Sequence, residues 1–275
     1  MVHLGKIDRI VFYGCSYTFG SELADHDVIP HLSIDEIDHL KRKLGNAEFY
    51  KKFTGKLSND NMLLRTTLEN KRSWAGKFGD ILSKPVINRA KPGSSNAEMI
   101  YTLEYDLKTH LIQENDLLVL ALTSKDRMMY FDRLGSHTSV VFHNEDTRWP
   151  DPEVRDNFIY LFVNDFYSSY SFHKDLCHVS HLVKNVKQPI LVQFVHSPYF
   201  VEISPELRKN QKFTEIITQQ ENFSFIIDPE LSFSLPRLEW AKIENQHGFV
   251  HPKEHLHEKF ANLVATSFKE KYTYE

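Results

Sequence analysis

The sequence predicts an α/β domain: a parallel sheet of about five strands covered on both faces by helices, three layers in all. Two observations carry this. Strands come as solid apolar runs, "RIVFY" at 9–13, "DLLVLALTS" from Asp116 and "PILVQFV" at 189–195. A run that is apolar throughout belongs to a strand buried on both faces, as parallel strands are. Segments with helical spacing separate these runs, and strand alternating with helix is the signature of crossover connections. The polar motifs fall at strand ends or beside the last helix, where such sheets hold their sites. No repeat or low-complexity linker divides the 275 residues, so 1–275 reads as a single domain with inserts at about 24–72 and 130–185.

Residues 9–13 form the first strand, which must turn at Gly14. The stretch 24–72 is polar and reads as an insert. Within it Ser33 and Glu36 make a capping box ahead of Ile37, Leu40 and Leu44, so a helix begins at Ser33. Trp74, Phe78 and Leu82 repeat at helical spacing over 73–82. "PVINRAKPGSSN" gives a strand of three or four residues closing in a loop, and 97–112 is helical through Met99, Ile100, Leu103 and Leu107. After the strand from Asp116, a polar and aromatic stretch runs to about Trp149, and one long helix spans 152–186. Beyond the strand at 189–195, Ser204-Pro205-Glu206 starts a helix. "FSFII" at 223–227 makes a last short strand, and a helix beginning at Pro252 closes the chain.

Composition narrows the function classes. A hydrophobic share of 41% with 25% charged residues is ordinary for a globular domain. A net charge of −4 gives no electrostatic case for nucleic acid or an anionic membrane surface. No run of 18 apolar residues is present, and the first residues lack the pattern of a signal peptide. The two cysteines, Cys15 and Cys177, form no disulfide framework. The expectation is a soluble cytoplasmic protein.

Chemistry concentrates first at "VFYGCSYTFGSEL", residues 11–23. A strand-to-helix turn exposes a hydroxyl and aims backbone N–H groups at one spot, which suits Ser16 as a nucleophile beside an oxyanion site. The same residue could simply cap the following helix. Cys15, next to it, points into the sheet and reads as a small buried side chain. His173, Cys177 and His181 share a helix face at metal-ligand spacing, and His247, His251, His255 and His257 form a second group. Neither group has an evident complete ligand set, so no metal site is expected, and a metal-dependent hydrolase stands as a rival reading. The aromatic stretch 157–172 reads as core, with room for a lid over an apolar pocket.

"YGCSYTFG" resembles the first block of the SGNH, or GDSL-type, hydrolases, with Gly14, Ser16, Thr18 and Gly20 matching and Cys15 in place of the family's Asp. "INRAKPGSSN" is similar to the second block, and "HPKEHLHEKFANLVA" to the last. The blocks occur in the family's order over nearly the whole chain. They look closest to a divergent branch with Gly-Cys-Ser in the first block, of a kind found in phage genomes. The resemblance implies a flavodoxin-like α/β/α sandwich that hydrolyses an ester without a cofactor. Ser16 would be the nucleophile, His251 the general base, and the N–H groups of Ser16 and Gly93 the oxyanion hole. Its substrate would be a small acyl or glycan ester.

Two blocks depart from the pattern. "LTSKDR" has no Asn where the third block carries one; Thr123, Ser124 or Lys125 occupies the strand end, and Asn96 is a further donor to the oxyanion. The Asp expected three residues before the histidine is Gly248. Glu244, His247 or a backbone carbonyl could orient the base instead. These gaps support an alternative, a catalytically inactive binding protein on the same fold.

Overall fold

The computed structural model describes residues 2–44, 46–53, 59–124, 127–131, 137–141, 152–162, 165–195, 226–228, 231 and 251–274. In chain order the first part comprises β1 (Val2–His3), β2 (Arg9–Gly14), α1 (Ser16–Phe19), α2 (Asp25–Val28), α3 (Ile34–Leu44), α4 (Asn46–Phe53), α5 (Asn59–Arg72), α6 (Trp74–Leu82) and β3 (Val86–Asn88). The second part comprises α7 (Asn96–Lys108), β4 (Asp116–Leu122), β5 (Arg127–Phe131), β6 (His137–Val141), α8 (Pro152–Phe162), α9 (Asp165–Asn185), β7 (Ile190–Phe194), α10 (Glu254–Tyr272) and β8 (Thr273–Tyr274).

The centre is a parallel sheet in the order β3-β2-β4-β7. Its register runs Phe12 to Val119 to Leu191. Ile226 bridges in parallel to Val192 on the outer side of β7, the place of the fifth strand. By chain position this is the second, first, third, fourth and fifth strand, the doubly wound order whose ligand site lies between the carboxyl ends of the first and third. Those ends are Gly14 and Leu122. Arg9 and Asp116, paired across β2 and β4, close the opposite end of the sheet through a salt bridge of 2.6 Å.

Alternating side chains of β2 show the three layers. Phe12 meets Trp74 and Phe78 of α6 at ring distances of 5.0 and 5.7 Å, and α10 adds Phe260 against Trp74 at 5.2 Å. Tyr13 points the other way, where its hydroxyl donates to Asp106 of α7 at 3.0 Å. On that side α9 packs beside α7, with Phe172 against Phe194 of β7.

Local signals place the helices. Ser33 and Glu36 form the expected capping box, with the Ser33 N–H donating to the Glu36 carboxylate at 2.8 Å. Ser73 caps α6 by accepting the Gly76 N–H, and Ser95 caps α7 by accepting the Glu98 N–H. The first insert has its own small core of Val28, Ile29, Ile37 and Phe49. Two elements differ from expectation. The single helix expected over 152–186 is α8 and α9, and the polar stretch after β4 contains the antiparallel pair β5-β6. The helix start expected at Ser204 lies outside the described residues, and no described helix is long and apolar enough to cross a membrane.

α10 is fixed against α6 by a polar contact inside the core. The fully buried His257 accepts the Trp74 N–H at Nδ1, 3.0 Å away. Accepting there requires a neutral ring, and burial pushes the His257 pKa down to about 3. An unfolded histidine titrates near ~6.5, so between these values the unfolded chain binds the extra proton. The contribution is therefore full above about pH 6.5 and fades as pH falls toward 3, at up to ~1.4 kcal/mol per pH unit. His257→Gln keeps an acceptor without the titration. Urea unfolding at pH 7 and 4.5 should show the wild type losing more stability than this variant; parallel losses would contradict the assignment.

Candidate active site

The turn after β2 is built around two missing Cβ atoms. A Cβ on Gly14 would lie 2.3 Å from Thr18 Oγ1, so only glycine lets the α1 turn fold back onto the strand end. Thr18 Oγ1 accepts the indole N–H of Trp74 at 3.3 Å, and its carbonyl accepts from Asn88 Nδ2 at 2.9 Å. Gly20 ends the turn with φ of +84°, and a Cβ there would strike the Glu69 carbonyl. Cys15 is extended, wholly buried, and precedes the first helical residue, Ser16. Ser16 is itself 6% exposed, and as the first residue of α1 its N–H has no intrahelical acceptor.

The loop after β3 runs beside this turn. The Arg89 N–H donates to the Phe12 carbonyl at 2.7 Å and the Lys91 N–H to the Gly14 carbonyl at 3.0 Å. Gly93 follows with φ of +82°. Asn96, at the start of α7, grips the end of β4 in both directions. Its Oδ1 accepts the Thr123 N–H at 2.8 Å and its Nδ2 donates to the Thr123 carbonyl at 3.2 Å. Asn96 thus acts on the backbone that carries Thr123. The Thr123 hydroxyl is buried and has no hydrogen-bond partner among the described residues, a costly state for a polar group with no ligand to meet. Ser124 is half-buried just beyond.

His251 sits just ahead of α10, with its side chain 23% exposed. Its ring packs on Tyr17, the residue after Ser16, at 5.4 Å between centroids. This contact brings the predicted base to the predicted nucleophile's turn. Its Nδ1 lies 2.9 Å from Oε1 of Glu22 and has no aligned hydrogen bond among the described residues. Such bonds are often poorly aligned until substrate is bound. Glu244, His247 and Gly248 lie outside the described residues.

Glu22 belongs to a buried ion cluster. Its other oxygen is 2.9 Å from Lys41 Nζ, which also contacts Asp25 at 2.6 Å. Arg65 joins Asp25 at 3.0 Å and Glu69 at 3.2 Å, and the Tyr50 hydroxyl donates to Asp25 at 3.0 Å. Burial alone would raise the Glu22 pKa, but the His251 and Lys41 charges hold it near 2. Burial pushes Glu69 up to about 7 against the pull of Arg65, with the Asp25 and Glu22 charges adding to the rise. Nothing in the sequence marked Glu22 except its place two residues after the first block.

A cavity of about 510 Å³ is lined by His251 and Glu22 together with Lys41 and Arg72 of the first insert; neither Ser16 nor Thr123 lines it. Lys253 reaches Asp38 of α3 at 2.7 Å, so the insert also holds the chain next to the histidine. Among the described residues no three His, Cys, Asp or Glu side chains converge as metal ligands. His173 is buried, Cys177 and His255 are exposed, and of the aromatic stretch Phe172 is core while Tyr160 faces solvent.

No family model and no curated protein matches the chain. Among solved structures it is similar to a member of the lipolytic protein G-D-S-L family from Veillonella parvula, at 13% identity and a TM-score of 0.40, covering 96% of this chain and 97% of the other. It is similar also to a structure named TesA, at 10% identity and a TM-score of 0.42, covering 95% and 98%. Neither likeness bears on what this chain does.

Gly14→Ala tests the turn. The forced contact with Thr18 should cost about 1–3 kcal/mol, the range of overpacking a filled site. Urea unfolding would show it, and an unchanged midpoint would contradict the packing described.

Proposed function

We propose that the chain is a serine hydrolase of the SGNH type that cleaves an ester, an acyl or carbohydrate O-acetyl group. The observation that carries this is the packing of His251 on Tyr17, within the turn that begins at Ser16. Ser16 Oγ would attack the acyl carbon while His251 takes its proton at Nε2 and delivers it to the leaving alcohol. Water then repeats the sequence on the acyl-enzyme, and no cofactor takes part. With Nδ1 against Glu22, Nε2 is the nitrogen left for this exchange.

The oxyanion would be held by the N–H groups of Ser16 and Gly93 and by the Thr123 hydroxyl. Thr123 is preferred to Asn96 because its hydroxyl is buried without a partner among the described residues, whereas both Asn96 side-chain atoms already bind the Thr123 backbone. The net charge of −4 does not favour nucleic acid or an anionic membrane as partner.

A fluorophosphonate probe should label the wild type and not Ser16→Ala, with hydrolysis of a short acyl ester lost by ~10³-fold or more. A folded wild type that takes no label would favour the binding protein. Thr123→Val replaces the hydroxyl with a methyl group of similar size. It should lower kcat for the same ester by ~10- to 10³-fold with little loss of stability; an unchanged kcat would remove Thr123 from the oxyanion site.

A further inference from the structure

We infer that Glu22 is the carboxylate that orients His251 as general base, held in place by Lys41 and Glu69 from the first insert. This rests on the reading of Ser16 and His251 as nucleophile and base. The position from which the family resemblance would draw that carboxylate is Gly248, which has no side chain.

Three observations converge on Glu22. Its Oε1 meets Nδ1 of His251 at 2.9 Å, the nitrogen whose proton an orienting carboxylate must hold so that Nε2 stays free to accept. Its side chain is only 10% exposed. Its backbone has φ of +77°, a strained conformation for a residue with a Cβ. Such strain persists where the surroundings over-determine it, and clusters at functional sites. Here the surroundings are explicit: the Glu22 N–H donates to Glu69 Oε1 at 2.9 Å, and Lys41 clamps Oε2 at 2.9 Å. The insert therefore serves the site. It fixes the backbone and one oxygen of Glu22, leaving the other oxygen for His251.

Asp25 on α2, Arg65 on α5 and the titratable His257 on α10 also lie near this pair, and Asp38, Arg72, Lys253 and Glu254 line the cavity that Glu22 and His251 line. Glu22 is the carboxylate in contact with Nδ1, so neutralising it tests that contact. Glu22→Gln keeps the shape and removes the charge; Glu22→Asp keeps the charge and shortens the reach.

The experiment follows the rate of fluorophosphonate labelling on the full chain from pH 5 to 9, with circular dichroism to confirm folding. Wild type should label with a rate that rises with pH. Glu22→Gln should label ~10²- to 10⁴-fold more slowly, as expected when a base loses its orienting carboxylate. Its rate midpoint should shift to lower pH, because a neutral neighbour no longer favours the protonated ring. Glu22→Asp should recover part of the rate. A folded Glu22→Gln with the wild-type rate and midpoint overturns the proposal alone. Should Glu22→Gln not fold, a Glu22→Asp variant that labels with the wild-type rate overturns it equally. A wild type that takes no label overturns the serine-hydrolase reading itself, and the role of Glu22 with it.

Discussion

The contact between Glu22 and His251 joins three stretches of chain that are far apart in sequence: the turn at Ser16, the first insert and the start of the last helix. Holding a carboxylate beneath a histidine in a largely buried place is expensive, since each charge taken from water costs several kcal/mol unless it is met. The insert meets it. Glu22, Asp25 and Glu69 share Lys41 and Arg65, so each carboxylate of the cluster faces a cation. Its energetic worth lies in fixing one geometry; as a source of stability alone, a buried ion cluster is a poor choice.

The sheet provides the frame on which this contact acts. In the doubly wound order the loops after β2 and β4 leave the carboxyl edge in opposite directions, the place where such sheets hold their ligands. Ser16 follows the end of β2 and Thr123 the end of β4. Asn96 fastens the end of β4 to α7, and the Lys91 N–H fastens the β3 loop to Gly14. On the far side of α6, His257 ties α10 to the Trp74 backbone, which sets where the chain can turn at His251. The glycines and serines of the matching blocks have local tasks of this kind. Gly14 clears space for Thr18, Gly20 adopts a left-handed turn, and Ser95 caps α7.

Much of this was legible in the sequence because it is local. The apolar runs of β2, β4 and β7, the Ser33–Glu36 capping box and the Trp74-Phe78-Leu82 spacing each report their own structure within a few residues. The turn at Gly14 and the start of α10 after Pro252 were marked by glycine and proline. What escaped depends on contacts across the fold. Glu22 looks like any polar residue at the edge of an insert, and only the return of the chain at His251 gives it a partner. Asn96 read as an oxyanion donor because its sequence neighbours are a glycine-serine loop; its bonds to Thr123, 27 residues on, cannot be inferred from spacing. The β5-β6 pair lacked a strong alternation in a stretch crowded with His, Asp and Ser, and helical propensity ran unbroken through 152–186 where the chain forms two helices.

The most direct measurement is a crystal structure of the full chain after reaction with a short-chain phosphonate ester. The account predicts phosphorus bonded to Ser16 Oγ, with its oxygen within hydrogen-bond reach of the Ser16 N–H and the Thr123 hydroxyl. It also predicts His251 beside the adduct, with Nδ1 still on Glu22. An adduct on another residue, or His251 turned away from both Ser16 and Glu22 in the adduct, would contradict it.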